Sequence, residues 1–229
     1  MTINLSASLI KDYLTCHARA GYRLSHREEA VPSIEMAIGS AVHEALEKAH
    51  LPKKQAVASL KNIYRNFSIF EDKDILKANS FIDSFYDMFP EDFFSESDKV
   101  EQYFKLPYGK EVFLTGRIDR IHDGVVFDWK TSKNPPLDVN RDPQFILYYI
   151  AYNKMFKERP KSVAYVALKQ KRVYYYKAIA PIVTEFEEKI IPEITANLRS
   201  GKLARTGLFG YKACDYCSFK ELCWSQLGY

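Results

Sequence analysis

At 229 residues, with 33 Lys and Arg against 29 Asp and Glu for a net charge of +4, the chain is long enough for a sizeable core and only mildly basic. That balance permits a polyanionic partner without demanding one, and the composition is ordinary for a soluble globular protein. No apolar run approaches the ~20 residues of a spanning helix, and the first residues lack the pattern of a signal peptide. The expectation is a cytoplasmic protein without membrane contact, whose four cysteines stay reduced and serve metal or redox chemistry.

In chain order, residues 6–24 are predicted to form a helix, with Leu9, Ile10, Tyr13 and Leu14 as its apolar stripe. A second helix follows Pro32-Ser33 to about His50 and carries Gly39 and His43. Amphipathic stretches at 52–67 and 74–89 complete a helical first half. Strands are expected at 99–107, 111–122 and 125–132, and then "TSKNPPLDVNRD" reads as a loop. Asp142-Pro143 supplies an N-cap and first helical position for a helix carrying Gln144 and Tyr148. Strands at 162–169 and 172–178, a helix at 183–200 and a cysteine-bearing tail follow. This order predicts an α/β protein whose mixed sheet is built around an antiparallel hairpin. There is no nucleotide-binding P-loop, since "ANLRSGKL" has Ala196 and Leu203 at two of the required positions, which argues against an ATP-driven motor in this sequence.

The hairpin, "GRIDRIHDGVVFDWKTSK", poses the chemical question. Asp123-Gly124 is a strong two-residue turn signal. That turn pairs His122 with Val125, Ile121 with Val126, Arg120 with Phe127 and Asp119 with Asp128. Alternation then puts Asp119, Asp128 and Lys130 on one face and Phe127 and Trp129 on the other. Like charges directly opposite destabilise a strand pair, and a bound divalent cation reverses that sign. Carboxylates suit Mg²⁺ or Mn²⁺, which accept phosphate oxygens, and Lys130 could orient a water or stabilise a phosphoryl transition state. Those parts describe metal-assisted phosphodiester hydrolysis; the alternative from the hairpin alone is a solvated, charged face.

Four motifs in order resemble the RecB-like branch of the PD-(D/E)xK nucleases. "GSAVH" resembles its G-x-x-x-H and implies His43 as a metal ligand. "GRID" resembles the G-x-x-D that supplies Asp119, although Ile118 stands where the family name has Pro. "DWK" resembles the (D/E)-x-K that supplies Asp128 and Lys130, and "QFILY" the Q-x-x-x-Y that supplies Gln144 and Tyr148. The resemblance implies a restriction-endonuclease-like core flanked by helices. It implies a cation held by His43, Asp119, Asp128 and the carbonyl of Trp129, with Lys130 as catalytic group and Gln144 and Tyr148 in support. It implies a single domain over 1–229, with a helical insertion at 25–98, a catalytic sheet at 99–180 and a cluster-binding region at 205–229 plus Cys16.

"CDYCSFKELC" sets Cys214, Cys217 and Cys223 in a C-x2-C-x5-C pattern, and Cys16 is the fourth thiol. Four thiolates suit a [4Fe–4S] cluster or a structural Zn²⁺. A C-terminal triplet plus one distant N-terminal Cys resembles the iron–sulfur nucleases of this branch, above all the CRISPR-associated exonucleases. That implies a tail clamped by the cluster and a preference for single-stranded DNA ends. It also implies CRISPR adaptation proteins or a separate helicase as partners. Alternatives are a viral or recombination-associated nuclease of the same fold, or a non-catalytic DNA-binding assembly subunit. Arg19, Arg23, Arg65, Arg117, Arg120 and Arg205 are candidates for DNA-backbone contacts.

Overall fold

The computed structural model describes residues 2–26, 33–65, 71–132, 138–176, 180–201, 203–205 and 210–225. In chain order the elements are β1 (Ile3–Leu5), α1 (Ala7–Thr15), α2 (His17–Ser25), α3 (Ile34–Leu46), α4 (Lys53–Arg65) and α5 (Asp72–Met88). Then come β2 (Lys99–Pro107), β3 (Val112–His122), β4 (Val125–Lys130), α6 (Pro143–Phe156), β5 (Ser162–Ala167) and β6 (Arg172–Tyr176). The chain closes with α7 (Ala180–Glu185), α8 (Ile191–Ser200) and α9 (Lys220–Ser225). It divides into two compact units, and β2 and β3, which pair with each other, run through both.

The unit formed by Pro32–Tyr103 and Arg117–Ala178 holds the mixed sheet. Here β3 pairs antiparallel with β4, β4 parallel with β5, and β5 antiparallel with β6. The hairpin register is the expected one: Arg120 opposite Phe127, Ile121 opposite Val126, His122 opposite Val125. Asp123 and Gly124 both take positive φ, 47° and 76°, which a two-residue hairpin turn requires. α6 is the crossover between the parallel β4 and β5, as parallel pairing demands. It begins where Asp142 accepts the Gln144 N–H at 2.8 Å, with Pro143 in the first turn. The core joins Ile38, Val42 and Leu46 of α3, Leu60 of α4, and Phe81, Ile82 and Phe85 of α5 to Phe127 and Trp129 of β4.

The second unit comprises Met1–Val31, Phe104–Gly116 and Ile179–Tyr229. β1, which the sequence did not suggest, runs parallel to the start of β3, with Ile3 opposite Val112 and Leu5 opposite Leu114. The helix expected at 6–24 is two helices. Cys16 breaks it in extended backbone (φ −161°, ψ 121°), and Ala18 N–H turns to the Ala204 carbonyl at 2.9 Å. The helix expected at 183–200 begins at Ala180 and contains one wide turn over Phe186–Ile190. That turn precedes Pro192, which cannot donate a backbone hydrogen bond and crowds the carbonyl four residues back.

Candidate active site

Asp119 and Asp128 lie on adjacent strands and are both buried. Asp119 Oδ2 accepts the Trp129 N–H at 2.7 Å, so the carboxylate is fixed by the backbone of the strand beside it. Asp128 Oδ1 is a hub. Lys130 Nζ and Gln144 Nε2 each donate to it at 2.9 Å, and Tyr148 Oη stands 3.1 Å away. Lys130 Nζ is also 2.8 Å from Asp128 Oδ2. Gln144 and Tyr148 share one face of α6, four residues apart, and Gln144 Nε2 donates to Tyr148 Oη at 2.8 Å. The Tyr148 hydroxyl also reaches the Arg117 carbonyl at 2.8 Å.

α3 brings the imidazole. Its buried stripe of Ile38, Ala41, Val42, Ala45 and Leu46 turns His43 to the rim of that core, where Nδ1 lies 3.3 Å from Asp119 Oδ1. Gly39 explains its place in the motif: a Cβ there would meet Thr131 Oγ1 at 3.3 Å, just beyond the end of β4. A larger residue would have to displace the Thr131 hydroxyl.

The electrostatics separate the two acids. Burial raises the Asp128 carboxyl above the ordinary range, and Asp119 adds to the rise, while the Lys130 ammonium opposes it. Burial pushes Asp119 the same way, but His43, Lys130 and the Trp129 N–H outweigh it and hold Asp119 below the usual value. Desolvation opposes the charged form of His43, yet the Asp119 charge prevails and raises its pKa. Lys130 is likewise held charged by Asp128 and Asp119 against its burial. Two carboxylates driven apart in this way are suited to different tasks.

Among the described residues, one group of His, Cys, Asp and Glu side chains has ligand atoms converging within 4.8 Å: His43, Glu101 and Asp119. Glu101 was not legible as a site residue. It is one acid in the strand "KVEQYFKLP", outside any motif spacing, and it comes into range on a residue of positive φ, 48°. A positive φ within a strand re-aims the side chain, and primary sequence does not display it. Its Oε2 lies 3.0 Å from Arg117 Nη1.

The same convergence corrects the expectation of a tail clamped by a [4Fe–4S] cluster or Zn²⁺. The metal-competent group contains no cysteine, and Cys16, Cys214, Cys217 and Cys223 are free, partly exposed thiols. Cys16 Sγ leans on the Ala204 carbonyl at 4.0 Å. The Cys217 and Cys223 amides bond within their own turns, to Cys214 and Phe219 carbonyls. Burial, then the thiols Cys16, Cys217 and Cys223, raise the Cys214 pKa. With the cluster goes the reason for placing the chain among iron–sulfur, CRISPR-associated exonucleases. Arg120 is also not a DNA contact: it is fully buried, 2.9 Å from Asp98 and 2.8 Å from the Glu47 carbonyl, with the Phe94 ring against its guanidinium. Arg19 and Arg23 both pair with Asp12. The Arg65 side chain lies outside the described residues.

The mixed sheet brings two carboxylates, a lysine and an imidazole together beside a crossover helix. The chain matches the PD-(D/E)XK nuclease superfamily over residues 4–224 and belongs to it. No curated protein matches it. Among solved structures, one described as "Crystal structure of SSO0001" aligns with 97% of this chain and 86% of its own, at 16% identity and a TM-score of 0.43. A likeness at that level leaves the chemistry to the side chains themselves.

Proposed function

We propose that this protein is a Mg²⁺- or Mn²⁺-dependent deoxyribonuclease that degrades single-stranded DNA from its ends. The observation that carries the proposal is the Asp128 hub: one buried carboxylate gathers Lys130, Gln144 and Tyr148, while Asp119 gathers His43. Two carboxylates and a neutral imidazole fit a hard divalent cation that retains some water, so His43, Asp119 and Asp128, helped by the Trp129 carbonyl, are the residues to hold it. When bound, such a cation neutralises phosphoryl charge and lowers the pKa of its water.

The chain's own groups supply the remainder. Lys130, kept protonated by two acids, presents a fixed positive charge to the phosphoryl oxygens or the attacking water. Gln144 and Tyr148 hold Asp128, and through it the lysine, in one geometry. They are positioning residues. The four ordered motifs, which resemble those of the RecB-like branch, support a preference for single-stranded ends.

The test is degradation of end-labelled linear single-stranded DNA and of circular single-stranded DNA, with Mn²⁺ or EDTA, beside Lys130→Ala. Metal-dependent loss of the linear substrate, sparing the circle and abolished in the variant, supports the proposal. Cutting of the circle makes the enzyme an endonuclease. Equal behaviour of wild type and variant turns the reading toward a binding subunit.

A further inference from the structure

Glu101 stands at the cation site without belonging to any of the four motifs, and its closest charged partner is not a ligand but a competitor. Its ligand oxygen is within 4.8 Å of those of His43 and Asp119, yet Arg117 Nη1 holds Glu101 Oε2 at 3.0 Å. The two side chains differ in freedom. Glu101 is the more enclosed, at 20% exposure, and its strand carries it on a residue of positive φ. Arg117 is 63% exposed at its side chain, while its backbone is tied to the site by the bond from Tyr148 to its carbonyl. Its guanidinium is open to solvent on an anchored backbone.

The surroundings sharpen the choice. Glu44 and Glu47 belong to the same neighbourhood, and burial followed by Glu101 and Glu44 raises the Glu47 pKa while Arg117 lowers it. A DNA phosphate approaching this acid-rich rim meets repulsion unless a positive charge faces it. Arg117 is that charge, and an exposed ion pair is weak enough to exchange one anion for another. A guanidinium forms bidentate bonds with phosphate as readily as with carboxylate.

We propose that Arg117 is a movable counter-ion: it neutralises Glu101 until a DNA phosphate takes its guanidinium, and Glu101 then joins His43 and Asp119 on the divalent cation. The inference rests on the nuclease reading above and adds to it a coupling between substrate and metal. Each of the two ligands then tightens the other by the same factor, because coupling of binding free energies is reciprocal. On free enzyme the cation must break the ion pair before Glu101 can ligate it, which weakens its binding, and DNA removes that cost.

The experiment measures binding and not turnover. Mn²⁺ affinity is determined by calorimetry without DNA for wild type, Arg117→Gln, Glu101→Gln, the double variant and His43→Ala. Anisotropy of a labelled single-stranded oligonucleotide is then measured in EDTA, where cleavage is silent. Arg117→Gln is expected to bind Mn²⁺ about two- to fivefold more tightly, the gain that freeing an exposed ion pair provides. Glu101→Gln should bind it about tenfold more weakly, and the double variant should equal Glu101→Gln, since the arginine acts only through that acid. In EDTA the signs reverse. Arg117→Gln loses DNA affinity and about one unit of salt slope, whereas Glu101→Gln, with its arginine released, gains affinity.

Circular dichroism verifies that each variant is folded, and Arg117→Lys, which keeps the charge, should stay near wild type. A folded Arg117→Gln with unaltered Mn²⁺ affinity overturns the counter-ion. Loss of Mn²⁺ binding in His43→Ala but not in Glu101→Gln also overturns it, while leaving the nuclease reading intact. Should neither His43→Ala nor Glu101→Gln change Mn²⁺ binding, the cation site of the proposed function fails, and the inference with it.

Discussion

The two faces of the β3–β4 hairpin are buried almost equally and do opposite things. On one face Trp129 is 1% exposed, and on the other Asp128 is 0% exposed. Trp129 meets Phe85, Phe94 and Phe127 with ring centroids 5.2, 5.7 and 5.7 Å away, and packing holds its ring. Asp128 depends on named donors, which gather at Oδ1, while its buried Oδ2 has, among the described residues, only the Lys130 ion pair. The lesson is that burial does not separate core from site here; what separates them is whether a buried group is content with contact or needs specific partners. A core of contacts degrades gradually. A polar hub depends most on its one charged donor, Lys130.

The largest effect should come from the packed face. Trp129→Ala is expected to cost about 3–5 kcal/mol in urea unfolding, because it empties the centre of the aromatic cluster. A loss under 1 kcal/mol would mean that this face is not the core. On the other face Lys130→Ala is expected to lower kcat about 10²–10³-fold, the scale of one lost electrostatic donor. If its kcat stays within a factor of three of wild type, the hub is structural and the comparison collapses into two kinds of core.

A pH measurement on the metal-free protein sharpens the contrast further. His43 has its pKa raised in the fold by Asp119, against the opposing desolvation. Its ion pair therefore contributes stability that is complete below the unfolded value of about 6.5 and is lost as pH rises through the raised folded value. Asp119, held low, contributes in the other sense, with stability present above its ordinary range and lost as pH falls through the folded value. In EDTA the stability difference between wild type and His43→Gln should therefore shrink with rising pH. The packed face predicts no such trend: Phe89→Leu, at a buried ring 6.0 Å from that of Phe127, should cost the same across that range. A His43→Gln difference that is flat with pH breaks the assignment of the His43–Asp119 pair.

How much of this was readable depended on whether local spacing carried the information. The hairpin register and the faces of Asp119, Asp128, Lys130, Phe127 and Trp129 follow from a period of two and the Asp123-Gly124 turn, and the structure has that register. Gln144 and Tyr148 share a helix face because four residues is about one turn, and both reach the Asp128 hub. Glu101 escaped because its placement depends on a single backbone dihedral. Arg120 looked like a phosphate contact because a surface arginine and a buried one read alike; only Asp98 and the Glu47 carbonyl, far away in sequence, make it interior. The break at Cys16 escaped too, since the amide partner of the second helix is the Ala204 carbonyl. The cysteine spacing was equally suggestive and did not produce a converged ligand set, because a C-x2-C-x5-C pattern specifies separation along the chain and not where four sulfurs point.

The smallest prediction concerns one hydroxyl. Tyr148 Oη lies within bonding distance of both Asp128 Oδ1 and the Arg117 carbonyl and accepts from Gln144, but it carries a single proton. It serves one acceptor at a time. Tyr148→Phe should cost about 1 kcal/mol in unfolding, a typical net hydrogen bond, with Lys130 and Gln144 still holding Asp128. The informative readout is the pH profile. A donor to a carboxylate favours its charged form, so removing the hydroxyl should raise the already elevated Asp128 pKa further. The acid limb of kcat should then move to higher pH, while kcat on the plateau stays close to wild type. If kcat instead falls uniformly at every pH, the proton of Tyr148 is spent on the Arg117 carbonyl, and the tyrosine positions a strand rather than tuning an acid.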